Sequence, residues 1–317
     1  MSLLGLGIDV GGTKIKGICM NEAGQVLAEA NAATGNGSCE EEVLGNLFSV
    51  IDSLLCAGKI ASIGIGCAGP VDPVLQIAAV APNIAFMRNY PLGRVVEARY
   101  GLPTRIENDV KVAALGELYF GQGMNVQDFV LVTLGTGIGG TIVHEGKLLR
   151  GVGNAAGEIG HLTLEPFGPL CGCGKLGCYE ALASGTAVRR SFLFALGRGR
   201  HSKLASLPSE EIDTVRIAEA AREGDRLARE VFEVSAFYTG LALSYLVVLL
   251  NPQRIIIGGG MSDALDLMWE KIQETLTLHA MDYPLRQVEV VPSGLGNRAG
   301  VLGAAMMSIR TILPENR

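Results

Sequence analysis

The chain has 317 residues, 48% of them hydrophobic, and a formal net charge of −6. This length suggests roughly two domains with sizeable cores. The acidic balance argues against a general nucleic-acid surface, which would show a clustered basic face. Forty-three glycines are the compositional anomaly. They cluster at strand ends and in loops, which indicates a chain that brings its backbone close to small ligands.

The N-terminal sequence MSLLGLGIDVGGTK shows none of the basic, apolar and small-residue regions of a secretory signal. We therefore expect a cytoplasmic protein whose cysteines are reduced. The longest apolar run, residues 240–250, has eleven residues, whereas a membrane span needs about 20. We expect this run to be a buried helix and the protein to have no membrane partner.

The first half of the chain begins with a strand, a glycine turn and a second strand. Apolar runs at residues 4–10 and 15–20 flank the glycine turn, and a third run follows at residues 25–30. Apolar residues at helical spacing predict a helix over Glu40–Leu55, and a buried strand is predicted at Ile60–Cys67.

The second half repeats the order of strand, glycine turn and strand. Phe129–Leu134 predicts a strand, GTGIGG a glycine turn, and residues 141–144 a second strand. Helices are predicted at residues 110–120, 184–196 and within 214–250, and a strand at 254–257 before a triple glycine. No low-complexity linker interrupts the chain, so we expect a hinge near residues 108–111.

The segment GEIGHLTLEPFGPLCGCGKLGCYE groups four zinc-type ligands between two glutamates. One histidine with three cysteines is a closed tetrahedral set for a structural Zn²⁺. We therefore expect the metal to shape this loop rather than to activate a nucleophile. Unrelated thiols are the alternative, and a disulfide is disfavoured because nothing indicates export. The ligands are His161, Cys171, Cys173 and Cys178, and the glutamates are Glu158 and Glu180.

Two glycine turns carry groups suited to phosphate. Glycine lets backbone N–H groups approach phosphate oxygens, threonine hydroxyls add donors, and an aspartate can hold Mg²⁺ directly or through water. Together the turns could clasp a triphosphate, although each alone is also an ordinary hairpin, and neither is a Walker A or dinucleotide motif. The residues are Asp9, Gly11, Gly12 and Thr13 in the first turn, and Thr133, Gly135, Thr136, Gly137, Gly139 and Gly140 in the second.

A phosphoryl acceptor also needs a base. Asp109 follows an apolar approach and precedes a predicted helix, which places it at a strand end in a predicted cleft between domains. A carboxylate there can take the proton of an attacking hydroxyl. The alternative is a helix N-cap, a position at which Asn and Asp are favoured, and one residue can serve in both roles.

The motifs DVGGTK, GPVD, APN, ENDVKVAALGE, LGTGIGG, the His/Cys loop and IIIGGGM, in this order, resemble the ROK family of sugar kinases and sugar-responsive repressors. The resemblance covers essentially the whole chain. It implies an α/β protein with the actin-like ATPase fold, related to ribonuclease H, in which two α/β domains close over ATP and a hexose. We expect the domains at residues 1–108 and 109–317, with the last helix packing back on the first domain.

The resemblance also implies roles for individual residues. Asp109 would be the general base, and His161 would bind both sugar and the structural Zn²⁺ with Cys171, Cys173 and Cys178. The sugar would be bound by Gly69, Asn83, Asn108, Asp109, Glu158, His161 and Glu180. ATP with Mg²⁺ would be bound by Asp9, Gly11, Gly12, Thr13 and Lys14, by Thr133, Gly135, Thr136 and Gly137, and on the adenosine side by Gly258, Gly259 and Gly260.

Two segments depart from the family pattern. The family usually has ENDANAA where this chain has ENDVKVAA, and Phe86-Met87 stands where many members have Gly-Trp. The bulkier residues at 110–112 could reshape the floor of the sugar site or simply repack the helix. Both departures bear on which sugar is bound and leave the implied reaction unchanged.

The resemblance implies an ATP- and Mg²⁺-dependent hexose kinase of the glucokinase kind. Kinases for N-acetylmannosamine, N-acetylglucosamine or fructose share nearly all of its motifs. Repressors of the family carry an extra N-terminal winged-helix domain, for which residues 1–8 leave no room, and a regulator without activity would be expected to alter Asp109 or the phosphate glycines. We expect a hexose as partner, no nucleic acid, and a homo-oligomer, since family members are commonly dimers or tetramers.

Overall fold

A computed structural model describes residues 3–81 and 83–313 of the chain. Pro82 of the predicted Ala81-Pro82-Asn83 motif and both ends of the predicted domains, residues 1–2 and 314–317, lie outside this range.

The described residues form thirteen strands. They are β1 (Leu4–Val10), β2 (Lys14–Asn21), β3 (Val26–Ala33), β4 (Ile60–Cys67), β5 (Val71–Asp72), β6 (Ile77–Val80), β7 (Arg88–Tyr90), β8 (Thr104–Asn108), β9 (Phe129–Leu134), β10 (Ile138–His144), β11 (Lys147–Leu148), β12 (Arg254–Gly258) and β13 (Glu289–Pro292).

Ten α-helices accompany these strands within the described residues. They are α1 (Glu40–Leu55), α2 (Leu92–Tyr100), α3 (Asp109–Phe120), α4 (Tyr179–Ala183), α5 (Gly185–Gly197), α6 (Thr214–Arg222), α7 (Arg226–Leu250), α8 (Leu265–His279), α9 (Asp282–Leu285) and α10 (Ala299–Ile312).

Two five-stranded sheets share one order of strands. The first has the order β3-β2-β1-β4-β8 and the second the order β11-β10-β9-β12-β13. In the first sheet β2 runs antiparallel to β1, whereas β4 and β8 are parallel to it. The carboxyl ends of β1, β4 and β8 therefore meet at one edge, which is where α/β sheets bind ligands. A separate small sheet has the order β5-β6-β7.

Most predicted elements agree with the structure. The bounds of β1, α1, β4 and β9 are those predicted, and the repeated order of strand, glycine turn and strand is present in both sheets. The predicted helical segment 214–250 is divided into α6 and α7 by Glu223-Gly224-Asp225. Gly224 has φ +89°, a conformation that side chains other than glycine disfavour, and Asp225 caps α7 by accepting a hydrogen bond from Ala228 N–H.

The chain divides into two compact units. The first comprises Met1–Gln127, Thr141–Gly157 and Gly294–Arg317, and the second comprises Asp128–Gly140 and Glu158–Ser293. The predicted boundary after Asn108 and the hinge at residues 108–111 fall inside the first unit, because α3 packs against α10, β4 and β8 there. The division into domains at 108/109 stays a prediction.

Helix α7 contains the run that we expected to be buried. It is long and apolar enough to cross a membrane by length and composition, and 50% of its most apolar window is buried inside the protein. Leu243, Leu246 and Val247 are buried, but Leu249 is 73% exposed, so only one face of the run fits the prediction of a buried helix.

In the first unit, α10 packs closely on β1, β4 and α3. A side chain at Gly7, Gly64 or Gly303 would overlap backbone atoms across these interfaces. At Gly303 the overlap would be with the carbonyl of Val112 in α3. Small residues therefore allow α10 to hold the sheet edge that carries Asn108 and the helix that follows it.

We predict that Gly303→Ala lowers the free energy of unfolding by about 3 kcal/mol, because the added methyl group meets backbone that cannot move aside. The matched control is Gly45→Ala in α1, where nothing lies within 4 Å of the added atom. Gly45→Ala should raise stability by up to about 1 kcal/mol, since alanine favours helix. Urea denaturation measures the free energy of unfolding of both variants. Equal changes in this free energy would contradict the close packing of α10 at Gly303.

Candidate functional site

The turn from β8 into α3 holds the predicted base. Asn108 is the N-cap of α3, and its Oδ1 accepts hydrogen bonds from the N–H groups of Val110 (3.0 Å) and Lys111 (3.2 Å). Its Nδ2 donates to Gly69 O (3.1 Å) and to Asp109 Oδ1 (2.9 Å). The capping role left open for Asp109 therefore belongs to Asn108. Asp109 is the first residue of the helix, and its second carboxylate oxygen carries none of these bonds.

Two aspartates of the first unit influence each other electrostatically. The pKa of Asp109 is raised to about 6, chiefly by burial and further by the charge of Asp9, while hydrogen bonds from Val110 N–H, its own N–H and Asn108 oppose the rise. Burial also raises the pKa of Asp9, and the charge of Lys16 on β2 opposes this. A carboxyl group with a pKa of about 6 is a competent proton acceptor near neutral pH.

The first glycine turn is a tight connection between β1 and β2. Gly11 N–H donates to Lys14 O (3.1 Å), and Gly11 O accepts from Thr34 Oγ1 (2.6 Å). A side chain at Gly12 would meet Asn83, so the predicted sugar residue Asn83 lies directly beside the predicted phosphate turn. Thr13 and Lys14 are exposed. The structure thus groups part of the two predicted sets within the first unit.

The second glycine turn lies beside the triple glycine. Thr133 pairs with Gly258, and a side chain at Gly259, where φ is +89°, would overlap the backbone of Leu134. A cavity of about 400 Å³ opens next to these segments, and its lining includes Gly135, Thr136 and Gly260. Its other lining residues come from α5, α6 and the segments before α6 and after β12: Gly185, Thr186, Arg189, Asp213, Thr214, Val215, Ala218, Arg222, Met261, Asp263 and Ala264.

The four predicted metal ligands come together. The ligand atoms of His161, Cys171, Cys173 and Cys178 all lie within 4.8 Å of one another. Cys173 Sγ lies 3.7 Å from Cys178 Sγ, and Cys171 Sγ lies 3.7 Å from His161 Nδ1. Four ligands at about 2.3 Å from a tetrahedral Zn²⁺ would be separated by nearly these distances. Backbone N–H of Lys175 lowers the pKa of Cys173, which favours the thiolate that binds metal.

The two glutamates that flank the metal ligands differ in environment. Glu158 is exposed, and within residues 3–81 and 83–313 its carboxylate makes no hydrogen bond or ion pair. Glu180 in α4 accepts a hydrogen bond from Ile138 N–H (2.9 Å), and its other oxygen lies 3.6 Å from Cys171 Sγ. A side chain at Gly137 would meet the Glu180 carboxylate. Glu180 therefore links the ligand cluster to the second glycine turn, a contact that the sequence did not predict.

The segments that depart from the family pattern have structural roles. Val112 is fully buried and lies against Gly66, and Met87 is 1% exposed within the core of the first unit. Phe86 makes an edge-to-face contact with Tyr90 at 5.2 Å between ring centroids. Val112 and Met87 are therefore packing residues in the interior of the first unit.

Lys111 in the same departing segment differs from its apolar neighbours. It is 3% exposed, and its ammonium donates to Asn154. This lysine therefore makes a polar contact with a loop that is distant in sequence.

Sequence reasoning missed two groups of polar residues. Arg189, Asp213 and Arg222 line the cavity beside the second glycine turn, but only the helix-cap signal of Asp213 could have marked any of them. Asn154 and Arg150 contact the strand that leads to Asp109, yet they are far from it in sequence. Such contacts depend on tertiary packing and leave no local pattern.

The folded chain thus has two five-stranded sheets of the same strand order, each with a glycine turn after its central strand. The ROK family model matches residues 5–311. The chain is 36% identical over 316 residues to a glucokinase of Streptomyces coelicolor, covering 95% of this chain and 96% of the relative. It is 32% identical to a xylose repressor of Caldicellulosiruptor bescii, covering 97% and 78%. A ROK family glucokinase from Streptomyces griseus, solved with glucose and AMPPNP, superposes with a TM-score of 0.84 at 35% identity, covering 97% of this chain and 99% of that one.

The chain belongs to the ROK family. Its fold is the actin-like ATPase fold of the ROK sugar kinases, which confirms the predicted fold class. The glucokinase relatives support a sugar kinase as its class of enzyme, and an AMPPNP-bound neighbour supports ATP use. Because a xylose repressor is also among the relatives, the predicted absence of a nucleic-acid partner stays a prediction.

We predict that the native protein contains one tightly bound divalent metal ion per chain and that Cys173→Ser removes most of it, because a hydroxyl is a far weaker ligand than a thiolate. The control is Cys56→Ser, which changes an exposed thiol outside the cluster. Metal analysis of the purified proteins by mass spectrometry gives the result. Equal metal content in both variants would show that the cluster does not bind the metal ion.

Proposed function

We propose that this protein is an ATP-dependent hexose kinase that transfers the γ-phosphoryl group of ATP to the 6-hydroxyl of glucose. The observation that carries the proposal is the Asp109 carboxyl group, which has a pKa of about 6 and is held by Asn108 at the start of α3. The nearly full-length similarity to glucokinases supports glucose as the sugar.

Asp109 would act as general base. As the sugar oxygen attacks the γ-phosphorus, the proton of that hydroxyl passes to Asp109, the P–O bond to the β-phosphate breaks, and ADP leaves with the bridging oxygen. The hydrogen bonds from Val110 N–H and Asn108 to the same carboxylate oxygen fix the orientation of the group. A catalytic group held in the right orientation lowers the reaction barrier more than its basicity alone would.

The glycine turns would bind the nucleotide. In the first unit the backbone of Gly11, Gly12, Thr13 and Lys14 supplies donors for phosphate oxygens. In the second, Thr133, Gly135, Thr136 and Gly137 do the same, while Gly258, Gly259 and Gly260 and the adjoining cavity would receive the adenosine. Asp9 is the kind of oxygen ligand that Mg²⁺ prefers. When bound, Mg²⁺ would neutralise part of the negative charge of the phosphates.

The sugar would be held by acceptors and donors from several loops. Glu158 has an exposed carboxylate, which suits a pair of vicinal hydroxyls. We assign the same role to His161, Glu180, Asn108, Asn83 and Gly69. A structural Zn²⁺ on His161, Cys171, Cys173 and Cys178 would keep His161 and Glu180 in fixed positions, because a metal and the hydrogen-bonded groups around its ligands hold one another in place.

Two other assignments compete with glucose phosphorylation. Kinases for N-acetylmannosamine, N-acetylglucosamine or fructose would use the same base and glycine turns, so the acceptor sugar decides between them. A sugar-responsive regulator is favoured by the repressor relatives. We place the protein in the cytoplasm, where ATP and reduced thiols coexist, and expect a dimer or tetramer.

The test is a coupled ADP-release assay with Mg·ATP against glucose, fructose, mannose, allose, N-acetylglucosamine and N-acetylmannosamine. We expect turnover led by glucose. Asp109→Ala should reduce kcat by at least about a hundredfold, the usual contribution of general base catalysis, while ATP binding measured by calorimetry is largely unchanged. Asp282→Ala, at an exposed aspartate of α9, is the control and should retain full activity.

The outcomes separate the alternatives. An acetamido sugar in first place would move the assignment to amino-sugar phosphorylation. Retained turnover in Asp109→Ala would remove Asp109 as base. No turnover with any sugar by a folded, metal-containing protein would favour the regulator.

A further inference from the structure

A buried charged cluster lies beside the proposed base and is not part of the proposed chemistry. Glu107, which precedes Asn108 in β8, is completely buried, and Lys111, in the first turn of α3, is 3% exposed. Buried charges of opposite sign are costly unless they are paired or hydrogen-bonded. Their partners therefore show what this cluster does.

One amide group joins the two buried charges. Asn154 Nδ2 donates to Glu107 Oε1 at 2.7 Å, and Asn154 Oδ1 accepts from Lys111 Nζ at 3.2 Å. The Lys111 ammonium also donates to the backbone carbonyl of Asn154. Because the carboxylate requires a donor and the ammonium requires an acceptor, only one orientation of the amide satisfies both. We name this arrangement the Lys111–Asn154–Glu107 relay.

The relay fixes two segments that are distant in sequence. Glu107 Oε1 also accepts from Asn108 N–H at 3.0 Å, and Glu107 Oε2 accepts from Arg150 at 2.9 Å. The relay thus connects the strand end that carries Asn108 with the loop at residues 150–157. Hydrogen bonds to charged groups are roughly twice as strong as neutral ones, so this connection is stronger than ordinary loop packing.

The loop at residues 150–157 has several residues in the left-handed backbone region. Gly151, Gly153 and Asn154 all have positive φ, of 64°, 65° and 62°. A non-glycine residue in this region is uncommon, and asparagine is among the few that tolerate it. The loop ends at Gly157, immediately before Glu158 in the sequence.

We infer that Lys111 and Asn154 are positioning residues for sugar binding, which act by fixing the strand end that carries Asn108 to the loop at residues 150–157. This inference rests on the proposed function and deepens it. Neither side chain is assigned to the sugar or to ATP. Loss of the relay should therefore weaken sugar binding while leaving proton transfer and nucleotide binding nearly intact.

The test uses Lys111→Met, which removes the charge at similar length, and Asn154→Gly, which keeps the positive φ and removes the amide. Each should raise the KM for the preferred sugar about tenfold, the effect of losing one charge-assisted hydrogen bond. The kcat and the KM for ATP should change less than about threefold. Asn154→Gly also removes the hydrogen bond from Asn154 Nδ2 to Val71 O (3.0 Å). The double variant should therefore be no worse than Asn154→Gly alone, because both changes break one relay.

Matched controls separate the relay from general destabilisation. Asn125→Gly changes an exposed asparagine that also has a positive φ (61°), and Lys271→Met changes a lysine of α8 whose side chain is 39% exposed. Both should leave the KM for sugar unchanged. Amide hydrogen exchange, measured without sugar, should increase in residues 150–157 for Lys111→Met and Asn154→Gly and not for the controls.

The results distinguish this inference from the proposed function. Faster exchange with an unchanged sugar KM, or unchanged exchange in both variants, overturns the positioning role while the kinase stands. Parallel losses in kcat and in the KM for ATP also overturn it, because they indicate a structural defect. If the unmodified protein neither binds nor phosphorylates any sugar in the panel, the proposed function fails and the sugar role of the relay fails with it.

Discussion

The partly buried carboxylate of Asp109 is the constraint on which the proposed site in the first unit depends. The ionised form of this carboxyl group is energetically unfavourable, since burial and the nearby Asp9 both oppose its ionisation. Hydrogen bonds from Val110 N–H and from Asn108 partly stabilise the ionised form. Asn108 also caps α3 and donates a hydrogen bond to Gly69 O. Strand β8, helix α3 and helix α10 hold this turn in place, and small residues in α10 and β1 allow them to pack closely.

The repeated order of strands explains why glycine-rich turns recur. In each five-stranded sheet the central strand is joined to the next strand along the chain by a connection rich in glycine, and its other neighbour runs parallel to it. This arrangement places each turn next to the carboxyl end of a parallel strand. In the second unit that parallel strand is β12, which ends in the triple glycine beside the cavity of about 400 Å³. Each unit therefore offers backbone donors at the sheet edge where α/β proteins bind phosphate.

The sequence predicted local features well and tertiary ones poorly. Helix α1 and strand β4 have strong periodicity, and the cysteine spacing indicated a cluster that the fold assembles. The hinge near residues 108–111 stays a prediction, and α3 packs against α10, β4 and β8 in this region. A strand end followed by a helix looks the same in sequence whether or not a domain boundary lies there. The contact of Glu180 with Ile138 and the role of Asn154 were missed, since both join segments more than forty residues apart.

The most direct test of Asp109 as the base is the pH dependence of kcat/KM for the preferred sugar under Mg·ATP saturation. The base must be deprotonated to act, and the pKa of Asp109 is raised from 3.8 to about 6. We predict that kcat/KM falls about tenfold per pH unit below about pH 6 and is level above it. A profile that stays level down to about pH 4.5, or that falls as the pH rises from about 6 to 7, would contradict Asp109 as the base.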